Sequence, residues 1–187
     1  MSTGNFPEFG PLAVLIGEWQ GEQGMDIAPE PDGTEKNPYF ESIVYTPVGD
    51  VENGKEQVLM ALRYQEIVTR KSTNKVFHDQ TGYWLWDSKT NLIMHSFTIP
   101  RGMAVLAGGK VTIDEQGASV FTLSASLEDP RWSIVQSPFM FEKAKTKSFN
   151  QTVTVAGDRM QYNESTILEI YGKIFDHTDR NKLTRVK

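Results

Sequence analysis

The sequence predicts an all-β fold: an antiparallel closed barrel of about ten strands, in one domain spanning residues 1–187. Three observations carry this expectation. After residue 40, short runs rich in Val, Ile, Thr, Tyr, Phe and Trp recur every ~8–12 residues. Clusters of turn-forming residues separate them, and helical periodicity is almost absent. The length of 187 residues suits a single barrel, and a chain of this size buries enough surface to fold without disulfides or a structural metal.

The elements follow in order. Pro11–Ile16 reads as a short helical turn with proline at its start, entering a first strand at Trp19–Met25. Asp26–Pro38 (DIAPEPDGTEKNP) holds three prolines and no periodicity, so a loop is expected there. Strands are expected at Tyr39–Thr46, at Val58–Arg70 before the turn Ser72–Lys75, and at Val76–Asp87 before Ser88–Asn91. Leu92–Ile99 stops at Pro100. Met103–Ala107 and Lys110–Asp114 flank Gly108-Gly109, so Ala107–Lys110 reads as a barrel turn. Ala118–Ser126, Ser148–Ala156, Arg159–Tyr171 and Leu183–Val186 complete the set. Ser137–Ala144 fits either a short helix or, because of Pro138, an extended loop.

Composition excludes several function classes. With 39% hydrophobic and 23% charged residues the chain is an ordinary globular one. Its net charge of −5 argues against a nucleic-acid partner, which calls for a basic face. The absence of cysteine removes disulfide scaffolds, thiol catalysis and zinc fingers. The run Leu12–Ile16 is too short for a signal core, and no stretch approaches the ~18 apolar residues of a membrane span. A soluble, cytoplasmic protein with no membrane partner is the expectation, and Trp or Met on outer strands would suit a homodimer.

Closure of the sheet leaves an interior wide enough for one small ligand. In Val76–Asp87 one face carries His78, Gln80, Gly82, Trp84 and Trp86, and the other Phe77, Asp79, Thr81, Tyr83 and Leu85. Neither is cleanly apolar, as suits a strand lining a ligand cavity. The chain has no Gly-x-Ser-x-Gly elbow, phosphate loop, dinucleotide fingerprint or His-Glu-x-x-His pair. That leaves His78, His95 and His177, since histidine is both the usual haem ligand and the usual acid–base group near neutral pH. Asp176, Thr178 and Asp179 flank His177, where they could form a turn or hold the ring for a metal. Gly17, Trp19, Gly21 and Gly24 suggest a barrel corner plugged by an indole, with Arg185 stacked on Trp19 as a cation–π partner.

These residues resemble the nitrobindin family, haem-binding β-barrels related in shape to lipocalins and fatty-acid-binding proteins. The family's Gly-x-Trp-x-Gly-x-Gly is matched by Gly17-Glu18-Trp19-Gln20-Gly21-Glu22-Gln23-Gly24, with the last glycine displaced by one position. Its Met-His-x-Glu-x-Gly-(Tyr/Phe) strand is matched by Phe77-His78-Asp79-Gln80-Thr81-Gly82-Tyr83, and its late histidine, following a Leu-x-Tyr strand, by His177 after Met160-Gln161-Tyr162. The Tyr-Pro-Thr segment is replaced by the longer Asp26–Pro38 stretch. The resemblance implies haem b in the barrel, His177 as the iron ligand, Phe77 and His78 on the open side, and nitric oxide or peroxynitrite chemistry at the iron, up to a peroxynitrite isomerase activity. Two other readings stand beside it. One is a lipocalin-like carrier of a fatty acid or other hydrophobic small molecule, without metal. The other is an enzyme on an organic substrate, with His78 or His95 as general base.

Overall fold

The computed structural model describes residues 6–187; Met1–Asn5, part of the N-terminal stretch read for a targeting signal, lie outside the described residues. A 3-10 helix at Pro7–Leu15 precedes the strands β1 (Gly17–Glu30), β2 (Gly33–Asn53), β3 (Gln57–Arg70), β4 (Lys75–Asp87), β5 (Leu92–Ile99), β6 (Met103–Ile113) and β7 (Ser119–Ser126). The short β8 (Ile134–Gln136) leads into the helix α1 (Pro138–Lys143), and β9 (Ala144–Ala156), β10 (Arg159–Ile170) and β11 (Lys173–Arg185) complete the chain. All pairings are antiparallel, in the order β5-β4-β3-β2-β1-β11-β10-β9-β7-β6. The β5–β6 pairing closes these ten strands into a barrel, and β8 pairs with Met103–Val105 on the edge of β6 that β7 occupies farther along. Closure leaves no free edge among the ten. None of the described helices is long and apolar enough to cross a membrane.

The N-terminal helix caps one end. Phe9, Leu12 and Leu15 are buried beneath it together with Trp19, which is 0% exposed. The indole Nε1 donates to the Leu15 carbonyl at 2.7 Å, and the Arg185 guanidinium lies 4.1 Å from the ring centroid. Arg185 also donates to the carbonyls of Ile16 and Val14, tying the last strand to the end of the plug. The cation–π stack expected from the sequence is therefore present, and the backbone carbonyls hold the cation over the indole.

The displaced glycine of the first motif has a local cause. Gly21 pairs with Glu41 and Gly24 with Tyr39, so three steps along β1 oppose two along β2. This β-bulge absorbs the extra residue and restores Gly24 to the inner face, where any Cβ would overlap the Tyr39 ring. In β4, Gly82 lies against β5, and a Cβ there would strike the backbone of Ser96 and Phe97. Gly82→Ala is expected to destabilise the fold by ~1–3 kcal/mol through overpacking. An unchanged urea midpoint would refute that steric role.

Three expectations need correction. Asp26–Pro38 is not a loop: it forms the end of β1, a tight turn and the start of β2, with Asp26 paired to Asn37 and Pro29 to Thr34. Its prolines are tolerated because Pro38 lies beyond the end of β3, Pro29 lies beyond the last β1–β11 pair at Ile27, and Pro31 is in the turn, so each has at most one neighbour that needs hydrogen bonds. Ala107–Lys110 is not a turn but the middle of β6. Gly108 and Gly109 serve close packing there, one beneath the Trp132 ring and the other against the Thr122 carbonyl. The last strand starts at Lys173, ten residues before Leu183. Ser137–Ala144 resolves as helix, with the Ser137 hydroxyl accepting from the Met140 amide as N-cap.

Candidate functional site

The barrel end opposite the plug opens into an interior cavity of about 390 Å³. Val68, Phe97, Ile99, Met103, Phe149 and Leu168 give it apolar walls. Phe139, Met140, Tyr171 and Arg101 stand at its mouth, on α1 and two turns. A wider groove of about 620 Å³ on the outer wall, lined by residues such as Met25, Thr122, Asn150 and Arg180, holds none of the three histidines. The interior cavity is therefore the candidate site.

His177 and His78 both line this cavity, from strands four places apart around the ten-strand ring. Phe77 lines it too, against the simple alternation that puts neighbours on opposite faces. A bulge is responsible: Val68 pairs with His78 and Thr69 with Val76, leaving Phe77 as the extra residue. Its ring packs edge-on to Tyr39 and beneath the Arg70 guanidinium. His95 is not at the site. It is 1% exposed, stacked on Trp84 at 4.5 Å, and burial pushes its pKa down to about 3. The general-base reading of His95 has no structural support.

The wall bearing His177 is unusually acidic. Its Nε2 donates to Asp26 Oδ1 at 2.6 Å, and Asp179 Oδ2 lies 3.5 Å from the same nitrogen. Asp26, only 4% exposed, is anchored on its other oxygen by Asn37 Nδ2 at 2.8 Å. Their placement follows from register. Glu164 pairs with Asp179 across β10 and β11, and Asp179 with Asp26 across β11 and β1, so three inward carboxylates lie side by side. Like charges directly opposed across strands are unfavourable, and burial adds to the cost. The proton affinities reflect both. Burial pushes Glu164 up to about 8 and Asp179 up to about 7, with neighbouring carboxylates adding to each. Burial alone would lower His177, but its hydrogen bond to Asp26 and the charges of Asp179 and Asp26 outweigh it and raise the imidazole. Asp26, His177 and Asp179 have donor atoms within 4.8 Å of one another, a set that can hold a cation.

A second polar network lies deeper. Tyr39 donates to Tyr162 at 2.7 Å, and Tyr162 donates to Glu41, which also accepts from Asn181 Nδ2 at 2.6 Å. Burial raises Glu41 to about 7 and Glu66 well above its ordinary value. On the β4 side, His78 Nε2 is 3.3 Å from Gln80 Oε1, and Gln80 Nε2 donates to the Tyr64 hydroxyl at 2.7 Å. Tyr64 in turn donates to His95 Nε2 at 2.6 Å. Burial lowers His78, which favours the neutral ring.

The sequence reading missed Asp26, Glu41, Glu66 and Glu164. Asp26 was lost in the segment taken for a loop. Inward alternation counted from Trp19, with one residue inserted at the bulge, places it inside.

A family model described as the THAP4-like, heme-binding beta-barrel domain matches residues 8–185. No curated protein sequence matches the chain. Among solved structures, the chain is similar to Rv2717c from M. tuberculosis, at 18% identity and a TM-score of 0.71, over 98% of this chain and 100% of that one. At that identity the likeness supports the fold, and the family model carries the assignment. The nitrobindin-like resemblance read from the motifs is thus supported, and the chain belongs to the THAP4-like haem-binding β-barrel family.

Proposed function

We propose that the cavity binds haem b with His177 as the single protein ligand to iron, and with Phe77 and His78 facing the opposite side. The observation that carries this reading is the convergence of His177, His78 and Phe77 on one apolar-walled cavity from strands far apart in sequence. The donor set suits the group. An imidazole is the commonest protein ligand to haem iron, and the carboxylate row beside it favours a positively charged metal centre. At the mouth, Arg70 and Arg101 offer guanidinium groups to anionic substituents.

The chain's own residues have definable roles. Asp26, itself fixed by Asn37, orients the His177 ring and holds its proton on Nε2 in the ligand-free chain. Ligation through Nε2 would require that proton to leave, and Asp179, whose Oδ2 lies 3.5 Å from the same nitrogen, is the carboxylate placed to take it up. His78, neutral and restrained by Gln80, offers a polar group on the far side, while Phe97 and Phe149 keep the floor dry. Haem held there by His177 would supply iron-centred chemistry toward nitric oxide and related nitrogen oxides, including peroxynitrite.

The test is a haemin titration of the purified protein followed by absorbance, on wild type and His177→Ala in parallel. A saturable one-to-one Soret shift that weakens by roughly 100-fold or more in the variant is the expected result. No saturable shift, or one that is unchanged in the variant, refutes the reading and favours a metal-free carrier. The interior counts against a fatty acid as that cargo. Its carboxylate would meet Asp26, Glu66, Glu164 and Asp179, and would have to stay at the mouth beside Arg70 and Arg101.

A further inference from the structure

The helix α1 reads Pro-Phe-Met-Phe-Glu-Lys, yet none of its residues is buried. Phe139 is 69% and Phe141 48% exposed, and across the same rim Tyr171 is 54% and Ile174 60% exposed. Large apolar side chains brought together at a cavity mouth, by α1 and by the β10–β11 turn, differ from apolar residues scattered singly. Phe139 and Tyr171 also line the cavity itself, so the rim patch adjoins the interior.

The charge around this rim is opposite in sign to that of the chain. Arg101, Lys143, Lys145, Lys147 and Lys173 border it, with Arg70, Lys71 and Lys75 at the β3–β4 turn of the same end. Against them stand Glu142, Glu169 and, on the β1–β2 turn that Lys173 reaches, Glu30 and Asp32, whereas the whole protein carries a net charge of −5. Glu169 is already paired with Lys145 at 3.9 Å. Lys145 also places its ammonium 4.6 Å from the centroid of the Phe141 ring, so cation and aromatic form one patch. At the plugged end, by contrast, the turns carry Glu52, Glu56, Asp87, Asp114, Glu115 and Asp158 against Lys55 and Lys89. Exposed aromatics interleaved with lysines are the composition that settles at the boundary of an anionic bilayer: rings enter the acyl region and ammonium groups remain among the headgroups.

We propose that the barrel docks mouth-down on anionic lipid surfaces through α1 and the β10–β11 turn, so that its cavity opens onto the bilayer. An apolar ligand can then pass between lipid and protein without crossing water. Docking of this kind needs no membrane span, and it is independent of which ligand the cavity holds.

The experiment is co-sedimentation of the ligand-free protein with vesicles of phosphatidylcholine alone and of phosphatidylcholine mixed with phosphatidylglycerol. Wild type is expected to bind the mixed vesicles and to be released by about 1 M salt. Phe139→Ser/Phe141→Ser is expected to weaken binding by roughly tenfold or more, and Lys143→Glu/Lys145→Glu by a similar factor. The four positions are exposed or half-buried, and a circular dichroism spectrum matching wild type certifies the fold of each variant. Failure to bind mixed vesicles overturns the proposal, as does binding that neither variant changes. Self-association through this rim in the absence of vesicles, abolished by the Phe variant, would also overturn it and assign the patch to a second copy of the chain.

Discussion

Trp19→Ala is expected to lower the unfolding free energy by roughly 3–5 kcal/mol, a large part of the ~5–15 kcal/mol typical of a domain. The indole is fully buried at the plugged end, among Leu12, Leu15 and the first turn of β1. Truncation opens a cavity and leaves the Leu15 carbonyl without its donor. It also removes the face on which Arg185 rests, while that guanidinium stays tied to the carbonyls of Val14 and Ile16. Because these contacts join the N-terminal helix, β1 and β11, their loss should loosen the junction on which barrel closure depends. Urea denaturation followed by far-UV circular dichroism measures the effect. A loss below about 1 kcal/mol would mean that the plug is peripheral to the fold.

Glu164→Gln is expected to act in the opposite direction, raising stability at alkaline pH. In the folded chain burial holds Glu164 up to about 8, against an ordinary value of 4.5. Between those values the folded state keeps a proton that the unfolded chain has released, so stability falls as pH rises and is lowest above about 8. Glu41 and Asp179, each pushed up to about 7, act in the same direction over a narrower range. His177 does so as well, because its raised pKa adds stability that is lost as the ring deprotonates. The lowered values of His78 and His95 act oppositely, but only below about pH 6.5. Thermal melts between about pH 6.5 and 8.5 should therefore show a steady decline in wild type. In Glu164→Gln the slope should be shallower, with a gain on the order of 1–3 kcal/mol at the upper end. The gain stays below the full linkage value because Glu164 lines a cavity open at its mouth. Equal slopes for the two proteins would show that Glu164 is ionised throughout.

Both variants bear on how far this chain could be read before its structure was known. Trp19, Arg185 and the flanking glycines were legible because they do structural work by local means: an indole filling a corner and a cation stacked on it. The strands set off by clear turn signals were legible too. Leu92–Ile99 was placed to the residue, and Val58–Arg70 and Val76–Asp87 to within one, since runs of branched and aromatic residues end there at turn-forming residues.

Two of the three failures fall where the cavity is, and the third at the glycine pair inside β6. Asp26–Pro38 was read as a loop and residues 173–182 were left out of the last strand, because prolines interrupt the first and the inward positions of both hold Asp26, Asn37, His177, Asp179 and Asn181 in place of apolar side chains. A strand lining a polar site loses the alternation by which strands are recognised. Composition and period were enough for the all-β class and most of the strand list, and the family resemblance singled out His78 and His177, the two histidines that line the cavity. Only the tertiary structure could set Glu164, Asp179 and Asp26 in one row, slip Phe77 inward at a bulge, and sink His95 into the core. Those outcomes depend on register between strands distant in the chain, and register is a property of the closed sheet as a whole.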